Sequence, residues 1–131
     1  MTGADGVFVT EVTAGGVQEV HFTAGRDGFP EGTRLPWAGS PCREALERGV
    51  PLMRDVAERF PDHALVRVAA AASLASVPLL GPGDRVLGTL CATSRRPDGL
   101  PEASGVLLEL FARLVVLHLP SSGGLTSTRA G

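Results

Sequence analysis

Lysine is absent from this 131-residue chain: all twelve basic residues are arginine, set against fourteen acidic ones, for a formal charge of −2. That balance offers a nucleic acid backbone no grip. Together with the alanine and glycine richness, it reads as a high-GC coding bias, so a single arginine hints less at a phosphate site than usual. Cysteine is scarce as well. Cys42 and Cys91 lie far apart with no CxxC or Cys/His spacing, which signals neither a disulfide framework nor a zinc site and leaves free thiols as the expectation. No apolar run approaches the roughly 18 residues needed to span a bilayer, and MTGADGVFV lacks a basic region followed by an apolar signal segment. The expectation is a cytoplasmic protein with no membrane partner. Also missing are a Ser/His/Asp set, carboxylates paired at helix spacing, a P-loop and a GxGxxG. Asp27, Glu31, Asp98 and Glu102 fall in loops and read as solvated charges.

What is present suits a single domain with a real hydrophobic core: 44% hydrophobic residues and 20% charged ones, near the average for soluble globular chains. Gly6 to Val12 and Val17 to Ala24 are β-rich and separated by Thr13, Ala14, Gly15 and Gly16, a first hairpin. From Gly25 to Gly39, glycine, proline and charge interrupt any period, and no regular structure is expected; Trp37, the only tryptophan, stands near its end. Ser40 and Pro41 form a helix start, with serine as cap and proline in the first turn, and Gly49 closes the helix. Pro51 to Arg54 reads as a short strand. Asp55 and Asp62 are candidate caps for two short helices, Val56 to Phe60 and His63 to about Ala70, on either side of Pro61.

A second hairpin follows, Ser73 to Leu80 and Val86 to Ala92, around Gly81, Pro82, Gly83 and Asp84. A strand, not a helix, follows that turn, so GPGDRVLG is no phosphate cradle. The longest helix is expected over Pro101 to His118, with Leu107, Leu110, Phe111, Leu114, Val115 and Leu117 at helical spacing. Val106, Leu108 and Leu119 widen its apolar surface beyond one stripe. PSSGGLTSTRAG, residues 120 to 131, reads as a disordered tail. The element order predicts an α+β fold: an antiparallel sheet of about five to six strands with helices packed on it.

Four segments carry a family resemblance: SPCREALERG at Ser40 to Gly49, VPLMRDV at Val50 to Val56, SLASVPLLGPGDRVLGTLCA at Ser73 to Ala92, and LLELFARLVV at Leu107 to Val116. In this order they resemble a GAF domain, the sensor and regulatory module of phosphodiesterases, phytochromes, histidine kinases and bacterial regulators, over a single domain at residues 1 to 119. GAF domains usually open with a helix beside the C-terminal one, and here a strand begins at about Gly6. The expectation is a short variant or a piece of a longer chain, with an uncovered flank on the C-terminal helix that pairs two copies through Leu108, Val115 and Leu119.

The resemblance implies a ligand pocket on one sheet face, walled by Asp55 to Ala71 and facing Thr89, Cys91 and the helix start at Cys42. The candidate binding residues are Trp37, Cys42, Arg54, Asp55, Arg59, His63, Arg67, Thr89 and Cys91, with Asp62 beside them. ALVRVAAAASLA is small and aliphatic and could equally fill that pocket. Covalent bilin attachment is not expected, since the position comparable to the attachment cysteine is near Phe60 and no cysteine lies between Cys42 and Cys91. His21, His63 and His118 are available to haem but carry no further signal, so no cofactor is assigned. The function implied is a non-enzymatic regulatory domain that binds a small molecule or acts as a dimerisation and signal-relay module for a partner chain. The alternative is a thiol redox enzyme or sensor of the free methionine sulfoxide reductase type. Cys42 lies where one of that enzyme's cysteines would, at a helix start that favours the thiolate. The second redox cysteine is missing from Leu65 to Ala72, and Cys91 on its apolar strand reads as a buried thiol.

Overall fold

The computed structural model describes residues 4–25 and 29–118. Six strands form one sheet, β1 (Gly6–Val12), β2 (Val17–Gly25), β3 (Arg34–Pro36), β4 (Leu52–Met53), β5 (Ser73–Leu80) and β6 (Val86–Ser94), in the order β3-β2-β1-β6-β5-β4 with every neighbour antiparallel. The two hairpins β1/β2 and β5/β6 are joined through the β1–β6 pairing at the centre. Four helices complete the domain: α1 (Pro41–Arg48), α2 (Val56–Arg59), α3 (Ala64–Arg67) and α4 (Ser104–His118). This is the expected α+β architecture.

Strand alternation decides which side chains meet which helices. Phe8, Val20 and Leu74 point to one face, where Cys42, Val56, Leu65 and Ala69 from α1, α2, α3 and the turn that follows cover them. Val9, Ala75, Val77, Leu79, Leu90 and Ala92 point to the other, where Leu108 and Ala112 of α4 pack with Leu100. Each fully buried Leu or Val contributes about 1.5–3 kcal/mol relative to exposure. One register shift keeps the alternation in phase, and one glycine permits a close approach of strands. At Val9/Thr10 the register skips His21 on β2, so Gln18 and Val20 share a face with Phe8 and Thr10. Farther along, Gly88 lets β1 pass closely over β6, since a Cβ there would lie 1.8 Å from the Thr10 carbonyl oxygen.

α1 forms as read. Ser40 Oγ accepts from the Arg43 N–H at 3.1 Å, Pro41 stands in the first turn, and Gly49 closes the helix at φ 66° with its N–H on the Ala45 and Leu46 carbonyls. Other expectations are corrected. The stretch from Gly25 to Gly39 contains β3, three residues that pair with Val17 to Glu19 and so extend the sheet edge. His63 rather than Asp62 caps α3, its Nδ1 accepting from the Leu65 N–H at 3.1 Å, and Asp55 stands at the start of α2 without a side-chain cap bond. α4 begins at Ser104, after a turn closed by the Ser104 N–H on the Pro101 carbonyl. Its faces are also reversed. Leu108 is buried and Val115 packs against the sheet core, whereas Val106, Leu107, Leu110, Phe111, Leu114 and Leu117 point outward. The proposed contacts through Leu108 and Val115 therefore belong to the domain's own core. Leu119, the 120–131 tail, Asp27 and the side chain of His118 lie outside the described residues.

Candidate functional site: a buried thiol pair

The sheet face under α1, α2 and α3 is apolar at one end and polar at the other. Thr10 on β1 lies opposite Thr89 on β6, and Ser76 on β5 lies opposite Cys91, two residues along from Thr89 on the same face. Gln18 reaches in from β2. All five are buried, at 4% exposure or less, as is Cys42 in the first turn of α1. The Cys42 and Cys91 sulfurs are 3.4 Å apart. This corrects the expectation that Cys42 lacks a partner thiol: 49 positions separate the two cysteines, and the helix start and the central hairpin bring them together.

Hydrogen-bond bookkeeping gives the cluster a direction. Gln18 Nε2 donates to both Thr10 Oγ1 and Thr89 Oγ1 at 3.1 Å. Each hydroxyl has a single proton to give onward. Thr10 is 2.7 Å from Thr89, and Thr89 is 3.1 Å from Cys91 Sγ. The order that satisfies every group runs from Gln18 to Thr10, Thr89, the Cys91 sulfur and, through the Cys91 S–H, the Cys42 sulfur. Ser76 Oγ, 3.3 Å from Cys91 Sγ, adds a further bond.

The two thiols are driven apart in acidity. The bond from Cys91 outweighs the cost of burial, and with Gln18, Ser76 and Thr89 it lowers Cys42 from its ordinary 9.0 to about 7. Cys91 is pushed well above 9.0, first by its bond to Cys42, then by burial and by the Cys42 charge. The arrangement can therefore hold one thiolate and one protonated thiol in contact within a closed interior.

The remaining candidates from the sequence do not converge there. Arg54 Nη1 donates to the Pro97 carbonyl at 3.1 Å, tying the strand β4 end to the loop before α4. Arg59 pairs with Glu44 of α1, and Arg67 with Asp62 at 3.7 Å, both on the surface. Asp55 is exposed, and Trp37 packs half-buried at the core edge. His63 is spent on the α3 cap. Its Nε2 is buried with no hydrogen-bond partner, and burial lowers its pKa below 6.5. His21 pairs with Glu11 on the outer face at 2.7 Å. The space beneath 54–71 is filled by Val56, Leu65, Ala69 and Met53. A cavity of about 130 Å3 opens beside α1, lined by Gly39, Ser40, Arg43, Glu44, Glu47 and Phe60. Among the described residues no group of three or more His, Cys, Asp or Glu side chains is placed to hold a metal ion.

Sequence reasoning named Cys42, Cys91 and Thr89 but missed Thr10, Gln18 and Ser76. The signal was strand alternation: each is a polar residue two places from a buried Phe, Val or Leu.

A six-stranded antiparallel sheet with short helices and turns over one face and one long helix over the other defines an α+β domain whose covered face can house a regulatory site. The chain belongs to the GAF domain family, whose model matches residues 1–119. It is 28% identical over 91 residues to the diguanylate cyclase DgcP of Escherichia coli, an alignment that spans 70% of this chain and 27% of that enzyme's length. Solved structures with the same fold include the phycocyanobilin-bound GAF domain of a cyanobacterial phytochrome, at TM-score 0.67 and 15% identity over 88% of this chain and 74% of that one. Another is the type II free methionine-R-sulfoxide reductase of Thermoplasma acidophilum, at TM-score 0.65 and 15% identity over 88% and 79%.

Proposed function

We propose that this chain is a non-enzymatic regulatory GAF module of the bacterial cytoplasm that relays a signal by pairing with a second copy of itself through the outer face of α4. The observation that carries this reading is the stripe Leu107, Leu110, Phe111, Leu114 and Leu117, each 39% to 77% exposed on one side of a helix whose other side is already packed. A continuous apolar helix face of this kind is costly to leave in water. Glu109 and Arg113, one turn apart along the edge of the stripe, make it self-complementary in charge under an antiparallel two-fold, with the acid of one copy beside the base of the other. No helix among the described residues is long and apolar enough to cross a membrane.

Relay is favoured over small-molecule binding because the family's pocket region is filled here by the chain's own side chains. The cavity beside α1 is well below the roughly 300 Å3 at which drug-sized sites begin. The diguanylate cyclase relative suggests an output partner of the nucleotide-cyclising class, on the same chain or another. Sedimentation equilibrium over a hundredfold concentration range tests the reading. A monomer–dimer equilibrium abolished by Leu110→Glu is expected, and a monomer at every concentration would overturn it.

A second reading, thiol redox chemistry, is favoured by one observation, the 3.4 Å contact between Cys42 and Cys91. Burial of both sulfurs speaks against turnover of a substrate as large as methionine sulfoxide.

A further inference from the structure

We infer that Cys42 and Cys91 are a built modification site, a dithiol that a small hydroperoxide converts into a disulfide clamping the start of α1 to the central strand β6. The inference goes beyond the relay reading and does not depend on pairing of two copies. Three features of the molecule carry it. The sulfurs already touch at 3.4 Å, and a disulfide needs them at about 2 Å, a closure that side-chain rotation at a helix end and a strand can share. They are also unequal. Cys42 sits in the first helical turn, whose free N–H groups favour an anion, whereas Cys91 lies on β6 between β1 and β5, beside the Ser76 and Thr89 hydroxyls, with its proton directed at Cys42. One sulfur is thus prepared as nucleophile and the other as the thiol that resolves it. Finally, the buried cluster that contains both thiols is completed by irregular chain: two single-turn helices, α2 and α3, and a turn in which Ala70 takes a left-handed φ of 55°. Segments of this kind open locally at low cost, which admits a molecule the size of hydrogen peroxide and excludes bulkier reagents.

The chemistry balances on these groups. The Cys42 thiolate attacks the terminal peroxide oxygen; the S–O bond forms, the O–O bond breaks, and the departing oxygen takes up a proton to leave as an alcohol, or as water when the oxidant is hydrogen peroxide. The Cys91 sulfur then attacks the Cys42 sulfenic sulfur. The S–S bond forms, the S–O bond breaks, and hydroxide leaves as water with the Cys91 proton. Two thiols and one hydroperoxide give one disulfide, one alcohol and one water, with two electrons passing from the sulfurs to the peroxide.

The test treats the reduced full chain with equimolar hydrogen peroxide and reads intact mass and disulfide-mapped peptides, with dimedone present in parallel samples. The expected result is a loss of 2 Da with the Cys42 and Cys91 peptides joined within one chain. In Cys91→Ser, dimedone is expected on Cys42; in Cys42→Ser, no adduct should form at that peroxide level. The wild-type mapping needs no variant, so a substitution that fails to fold does not weaken the test. No disulfide after complete peroxide consumption, a dimedone adduct on Cys91 instead of Cys42, or cross-linking only between chains would each overturn the inference. So would a disulfide formed by free methionine sulfoxide and not by peroxide. Because the readout is a bond within one chain, its failure leaves the sedimentation result untouched, and the reverse holds too.

Discussion

Cys42 carries the most chemistry of the described residues, and its acidity follows from neighbours 24 to 49 positions away as well as from its helix. With no tyrosine in the sequence, thiolate absorbance near 240 nm can be read without phenolate interference. One thiolate per chain should appear with a midpoint near pH 7, and the second only well above pH 9. Gln18→Leu removes the donor that orders both threonine hydroxyls; it should move the first midpoint upward and cost about 1–3 kcal/mol in urea unfolding. A midpoint unchanged by Gln18→Leu would dissociate the amide from the thiol. Gly88→Ala places a methyl against the Thr10 carbonyl and should cost about 3 kcal/mol. Little of this was legible in the sequence. The thiol pair depends on the β5–β6 register and on where α1 lands, and neither is written in the spacing of the cysteines. The polar residues at inward strand positions were readable, since Thr10, Gln18 and Ser76 alternate with Phe8, Val20 and Leu74, but alternation does not say that three strands aim them at one point.

Elements whose signals are local formed where the sequence puts them. α1 has its serine cap, its proline and its closing glycine within ten residues, and both hairpins carry their turns. Elements defined by what they touch were harder to read. β3 is three residues long and exists because β2 offers an edge, while α3 takes its cap from His63, whose ring can accept a backbone bond as Asp62 would have. α4 is apolar almost all round, so its period marks a helix without marking the inner face. Leu108→Ala should therefore destabilise the domain by about 2–5 kcal/mol. Leu110→Glu, on the exposed side, should change unfolding of the single chain by less than about 0.5 kcal/mol. Equal effects of the two on urea midpoints of the monomer would contradict the assignment of faces. Oxidation of the thiol pair closes a loop spanning 49 positions, worth about 4 kcal/mol in the chain-entropy view and hence a Tm higher by roughly 15 °C than in the reduced form.

Across the whole molecule, the absence of lysine and tyrosine makes the alkaline pH dependence of stability a cysteine property. Between pH 7 and 9 the unfolded chain keeps the Cys42 proton that the folded chain has released, so stability rises with pH. Above pH 9 the unfolded chain loses the Cys91 proton that the folded chain retains, and stability falls. His63 acts at the acid end: its folded pKa is depressed, so stability is lost as pH drops through 6.5. Urea midpoints of the reduced protein should thus peak near pH 9, and Cys42→Ser should flatten the rise from 7 to 9. The fold around these groups leaves two distinct faces, a closed one that holds the thiols and an apolar one that the relay proposal pairs with a second copy. Native mass spectrometry of the protein purified from its own cells tests that division most directly, since subunit number and any retained small molecule register in one spectrum. The expected spectrum is a dimer with no adduct beyond the loss of two hydrogens per oxidised chain, and a monomer, or a dimer holding a stoichiometric small molecule, would contradict it.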